Sequence, residues 1–319
     1  MLVNSYDAVV SKVQDRFSDL VFSSFVLKLD DVIVNENNFH TLLNYDNEYC
    51  FKVISALIGF ASFTDEQALS YAKVQYIDIS QIPKVEQDDF PSMKNLDDSL
   101  IAKEVESIFC EVAKRLKVVP YDGLSSECTM REFISPLLVG ALNLLDGSVK
   151  LQGEKEICGF VGNGPVDYVM EYRSYQIVLT EAKKLTIKAG IKQNIAQIVA
   201  SKEDFAKQFA FGDDINSKKR KYKDAFDAID LIPSFGIVAT GAQWVFIKRY
   251  KSGEEYALAE SKPLDLFLPQ HSPIVNERTK AEMLDQIKSI VTLIVGIVQD
   301  QVEQINNCPL FKKSKVQPT

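Results

Sequence analysis

Histidine is nearly absent from this chain, with His40 and His271 the two among 319 residues. That leaves a histidine-built metal centre or a Ser-His-Asp triad poorly supplied, and both are read as structural or surface residues. Cysteine is sparse as well. The five, at positions 50, 110, 128, 158 and 308, are odd in number, scattered and without a C-x-x-C pair, which excludes a disulfide framework or a structural zinc site and points to a reducing, intracellular setting, nucleus or cytoplasm. Long apolar runs are missing too. The longest, residues 290–298, falls short of the roughly 20 residues that cross a bilayer. The opening residues, Met1 to Asp7, lack the basic and apolar segments of a secretory leader, so no membrane partner is expected.

What is present is ordinary for a globular chain. At 46% hydrophobic and 25% charged residues it is neither disordered, collagenous nor a coiled-coil rod. The net charge of -8 is unevenly spread. Residues 1–120 hold 19 acidic and 11 basic side chains, so the remaining 25 acids and 25 bases of residues 121–319 balance. Within that second part, Lys183 to Lys223 carries 11 Lys/Arg against four acids. The field that steers a polyanion is local, so an acidic protein with such a segment remains a candidate for nucleic acid.

The rhythm changes along the chain. Val9, Val10, Val13, Phe17, Leu20 and Val21 recur at helical spacing, Tyr49 to Phe60 is an apolar run read as helical, and Ile101, Val105, Ile108, Val112 and Leu116 predict another helix. Gln81 to Asp98, with Pro83, Pro91 and an acid cluster, is the linker candidate. From Arg131 onward the order is helix to Leu145, short apolar runs at 157–161, 166–172 and 175–181, a helix at 188–209, strands at 235–239 and 244–250, and a helix at 279–305. That order predicts an α/β fold around a mixed sheet. The expected division is a smaller helical N-terminal region, 1–118, open to a protein partner, and a second domain, 119–319.

The chemistry concentrates in one hairpin. With residues 173–175 as its loop, paired positions sum to 348, which sets Asp167 opposite Glu181 and Lys183 on the same face two residues on. Like charges directly opposite are destabilising unless a positive group sits between them. A divalent cation is one such group, and carboxylate oxygens suit Mg²⁺ or Mn²⁺; the bland alternative is a surface hairpin in which Lys183 offsets two solvated acids. The apolar Ile177 to Leu179 reads as a central buried strand ending in charge at one edge of the core.

Five segments in order, Arg131-Glu132-Phe133-Ile134-Ser135-Pro136-Leu137-Leu138, residues 162–168, Thr180-Glu181-Ala182-Lys183, residues 190–197 and residues 236–244, resemble the PD-(D/E)XK nuclease superfamily. They are most similar to the restriction-endonuclease-like domains of Crinkler-type effectors and related eukaryotic proteins. The resemblance covers about residues 120–305. It implies a restriction-endonuclease-like mixed sheet flanked by helices and metal-dependent hydrolysis of phosphodiester bonds, in DNA rather than RNA. It also implies Asp167, Glu181 and the Ala182 backbone carbonyl as ligands of Mg²⁺ or Mn²⁺, Lys183 as the catalytic lysine and Glu132 as a helix-borne acid. One departure is that Val166 separates Pro165 from Asp167. A non-catalytic nucleic-acid- or protein-binding module on the same fold is the competing expectation.

Weaker signals accompany it. Thr129 and Glu132 have capping-box spacing, which explains Glu132 without catalysis. Gln193 and Gln197 share a helix face where their amides can reach a phosphate or a metal-bound water, or are ordinary exposed residues. Lys218, Lys219, Arg220, Lys221 and Lys223 form a basic run in a polar loop, read as a nucleic-acid contact, a nuclear localisation signal or a solvated face. Trp244 is expected in the core.

Overall fold

A computed structural model of the chain describes residues 25–29, 32–34, 52–55, 57–119, 121, 126–184, 186–209, 215–269 and 276–312. Strands β1 (Phe25–Leu29), β2 (Val32–Val34) and β3 (Lys52–Ser55) form an antiparallel sheet with β1 in the middle. Then follow β4 (Ile58–Gly59), α1 (Asp65–Tyr71), β5 (Lys84–Val85), α2 (Asp98–Leu116) and α3 (Glu127–Asn143). Next come β6 (Lys150–Cys158), β7 (Gly162–Tyr172), β8 (Tyr175–Ala182), α4 (Ile187–Phe209) and α5 (Ile215–Asp230). The chain continues through β9 (Ser234–Ala239), β10 (Gln243–Ser252), β11 (Glu255–Ser261), β12 (Leu264–Asp265), α6 (Glu277–Asn307) and α7 (Pro309–Lys312).

The large sheet has nine strands, ordered β4-β7-β8-β9-β10-β11-β5, with β6 also on β7 and β12 on β10. It is mixed: β7 and β8 are antiparallel, β8 and β9 parallel, and β9 and β10 antiparallel. Side chains alternate between its two faces, and each face has its own apolar layer. Phe235, Ile237, Ala239, Trp244 and Phe246 pack with α2, α3 and α6; Val238, Val245 and Ile247 pack with α1 and α4. Every residue of β8 is buried, as its unbroken apolar centre requires of a strand covered on both sides. The α/β class, the mixed sheet and the flanking helices are therefore those expected.

Three local expectations change. The run 49–60 carries the strands β3 and β4 rather than a helix; β4 finds a partner in β7, and Phe60 opens a short 3-10 turn and is buried in the core. The region 1–118 thus contributes strands as well as helices; the periodic run 9–21 lies outside the described residues. The stretch 81–98 is packed rather than open. Ile82 and Phe90 are buried and β5 pairs with β11, so the two sides of position 118 share one sheet and one core. The basic run 218–223 lies in α5, not in a loop. That helix is seated at its end: Lys202 Nζ donates to the carbonyls of Asp230 (3.3 Å) and Ile232 (2.5 Å), and Arg249 pairs with the Asp230 carboxylate. Orphan carbonyls at a helix end favour such a cation. Among the described residues no helix is long and apolar enough to cross a membrane.

Candidate functional site

The hairpin of β7 and β8 turns on two residues, Arg173 and Ser174, both with positive φ (50° and 63°), the conformation a tight hairpin turn demands. The expected three-residue loop is therefore one residue too long. A register shift beside Met170 and Glu171 absorbs the difference, and the pairs beyond it, Met170 with Val178 and Tyr168 with Thr180, keep the sum of 348. Asp167 and Glu181 are consequently brought to the same end of adjacent strands. On the other side of β7, Gly153 and Lys155 pair with Tyr168 and Val166, so Glu154 lies across from Asp167. Three strands place carboxylates in one row.

Asp167 and Glu181 are both buried. The Ala182 N–H donates to Asp167 Oδ2 at 2.7 Å. Lys183 Nζ donates to Glu181 Oε1 at 2.7 Å, and Gln197 Nε2 to Glu181 Oε2 at 2.7 Å. A hydrogen bond to an ionised group is worth roughly 1.5–3 kcal/mol, so the Gln197 contact is a substantial restraint on Glu181. Gln197 is itself held by Asn194, whose amide also donates to the Leu179 carbonyl. Gln193 is buried one turn earlier on α4. Neither glutamine is the exposed surface residue that the helix pattern allowed.

The first two turns of α3 bring two further groups. Glu127 Oε1 lies 3.6 Å from Lys183 Nζ, and Arg131, one turn later, pairs with Asp167 Oδ1 and at 2.5 Å with Glu154 Oε1. Glu132 is not part of this cluster. Its side chain is exposed and pairs with Arg115 of α2 at 3.4 Å. The expected capping box is displaced as well, because α3 starts three residues earlier: Ser126 is the N-cap and accepts from the Thr129 N–H. That shift turns Glu127 toward the site and Glu132 away from it. Two of the side chains that the structure assembles there, Glu127 and Arg131, escaped the sequence reading; Ser126 ahead of Glu127 was the signal that could have found them.

Electrostatics follow from this packing. Burial, then the neighbouring Asp167, push the Glu181 carboxyl up to about 7. Burial also raises Asp167, against the opposing pull of the Ala182 N–H, Arg131 and Lys183. For Lys183, burial works against the charge, but Glu181, Glu127 and Asp167 more than offset it and its pKa rises. The cluster is thus a buried, under-compensated pair of acids beside a firmly charged lysine. Among the described residues no group of three or more His, Cys, Asp or Glu side chains gathers as a metal cage. What the site offers is two hard-oxygen ligands. That donor set fits Mg²⁺, which commonly takes one or two carboxylates and keeps water or substrate phosphate for the rest.

The side chains of Lys218, Lys219, Arg220 and Lys221 lie outside the described residues, as do His40 and His271. Lys223 is exposed on α5, and Trp244 is fully buried with its indole N–H on the Gly241 carbonyl.

Against known proteins, no family model matches the chain. Crinkler effector protein 1 of Rhizophagus irregularis is 24% identical over 148 residues, 46% of this chain. The relationship is Crinkler-like. It spans 29% of the length of that Crinkler protein.

Proposed function

We propose that this Crinkler-like chain is a divalent-cation-dependent phosphodiesterase of the PD-(D/E)XK type, acting on DNA in preference to RNA. The observation that carries the reading is the convergence of Asp167, Glu181 and Lys183 at one end of β7 and β8, with α4 closing over Glu181 through Gln197. The mixed sheet between helices also supports it, with α3 ahead of the antiparallel β6, β7 and β8, and α4 and α5 between β8 and the parallel β9, since the superfamily resemblance implies a mixed sheet flanked by helices. The Crinkler-like relation supports an effector role.

Asp167 and Glu181 would hold the cation, which would supply positive charge for a phosphoryl oxygen and lower the pKa of a water. The chain's own groups do the rest. Lys183, kept charged by three carboxylates, orients the attacking water and stabilises charge developing on the phosphoryl oxygens. Gln197 and the Ala182 N–H fix the two carboxylates, so that little reorganisation remains at the moment of reaction. Glu127, exposed at the rim, takes the helix-borne acid's place that the resemblance gave to Glu132.

The test is incubation of the protein with plasmid and single-stranded DNA, with Mg²⁺, with Mn²⁺ and with chelator. Cleavage that requires the cation and falls by orders of magnitude in folded Lys183→Ala, with DNA affinity little changed, is the expected result. One observation favours the second reading, a non-catalytic binding module: each buried carboxylate already has a cationic partner within the fold, Arg131 for Asp167 and Lys183 for Glu181. That module would bind DNA and cleave none of it under any cation.

A further inference from the structure

Arg131 is an unexpected neighbour for a metal ligand. Its guanidinium spans two carboxylates on adjacent strands, Asp167 on β7 and Glu154 on β6. The two partners differ. Asp167 is buried, while the Glu154 side chain is 70% exposed. Glu154 also holds a positive φ of 51°, a conformation that a residue with a side chain adopts at a cost and that must be held by its surroundings. The third nitrogen of Arg131, Nε, is buried and has no acceptor among the described residues. An arginine settled permanently in an ion pair would have its donors matched, because an unmatched buried donor costs free energy.

These features are those of a counter-ion with two positions. We infer that Arg131 bridges Asp167 and Glu154 in the cation-free protein and hands over wholly to Glu154 when a divalent cation takes its place at Asp167. This rests on the proposed cation site at Asp167 and Glu181. The exposed Glu154 carboxylate is the acceptor that lets the guanidinium leave Asp167 without becoming an unpaired charge. Arg131 is therefore a positioning and gating residue, and it sets how strongly the site holds its ion. The same contact explains how three carboxylates in one row coexist before any ion arrives.

Calorimetric titration of Mn²⁺ into the full chain, with no nucleic acid present, tests this. Arg131→Gln removes the competitor, and the dissociation constant should fall by about tenfold, the order of magnitude of one charge-assisted contact. Glu154→Gln removes the partner that Arg131 keeps after leaving Asp167, and Mn²⁺ should bind more weakly than to wild type. A uniform field effect also weakens binding in Glu154→Gln, so the double variant decides. With Arg131 already gone, the hand-over predicts that Glu154→Gln loses most of its effect, whereas a field effect persists undiminished. Arg131→Lys covers a failure of Arg131→Gln to fold, since a point-charge ammonium cannot bridge both carboxylates and should also tighten Mn²⁺. Wild type that binds Mn²⁺ no more weakly than the Arg131 variants would overturn the hand-over and leave the cation site standing. Binding to none of these proteins would remove the cation site itself, and the hand-over with it.

Discussion

Glu181 has a hydrogen-bond or ion-pair partner on each oxygen, yet its carboxyl is pushed up to about 7, because burial and Asp167 outweigh Lys183 and Gln197. The linkage has a definite sign. A carboxyl raised from 4.5 to about 7 binds more protons folded than unfolded, so it withdraws stability as pH rises through that window. In chelator, the melting temperature of wild type should therefore decline between about pH 4.5 and 7, and Glu181→Gln should flatten the decline. An identical slope in the two proteins would show that Glu181 is not the titrating group. Adding Mn²⁺ near neutral pH should raise the wild-type melting temperature, since a ligand that binds the folded state alone stabilises it, and Asp167→Asn should lose most of that gain. The positions of Asp167, Glu181 and Lys183 were legible in the sequence because a hairpin is a local object, and counting across a three-residue loop reached the same pairs that the two-residue turn and the shift beside Met170 produce together. Arg131 and Glu154 were not, because their meeting depends on how α3 crosses the sheet, and no spacing encodes that.

Close approach of α4 to the sheet holds the site in place. A Cβ at Gly236 of β9 would lie 1.6 Å from Asn194 Oδ1, so only glycine lets the Asn194 amide reach the Leu179 carbonyl. Gly236→Ala must lift α4 or evict Asn194, and overpacking of this kind costs about 1–3 kcal/mol. Asn194 also holds Gln197, so the same change loosens the restraint on Glu181. Chemical denaturation should show the stability loss. Where cleavage is measurable, a rate loss larger than the small unfolded fraction explains would place Gly236 in the support of the site; a variant as stable as wild type would show that α4 does not need the close approach. The long periodic helices were legible as elements. The helix α5 was not, since its run of lysines masks the apolar positions, Ala225 and Ile229 among them, that it buries. The short β4, β5 and β12 escaped for a different reason. Two residues carry no periodicity, and they become strands because a partner edge is waiting.

Charge is organised on the scale of the whole molecule. The acidic excess belongs to residues 1–120, while the segment 183–223 brings its positive charge to the carboxylate cluster through Lys183 and onto α5. If α5 neutralises phosphates, replacing Lys218, Lys219, Arg220 and Lys221 with Ala should reduce the salt dependence of DNA binding by about one unit of log-log slope for each phosphate no longer neutralised. The Lys202 and Arg249 interactions that seat the end of α5 are untouched by these changes, so stability should stay near that of wild type. An unchanged slope would leave a solvated helix face or a localisation signal.

By itself the sequence determined the α/β class, the order of the long elements and the hairpin that carries Asp167, Glu181 and Lys183. Each of these follows from periodicity or from counting across a turn. Tertiary structure decided the rest. It buried Gln193 and Gln197, joined residues on both sides of position 118 into one core, and started α3 at Ser126, so that Glu127 and Arg131 face the carboxylates while Glu132 faces Arg115. The reason is geometric. A side chain's neighbours along a strand or helix follow from its spacing, but its neighbours across a helix-sheet interface depend on where the helix begins and how closely the two backbones approach.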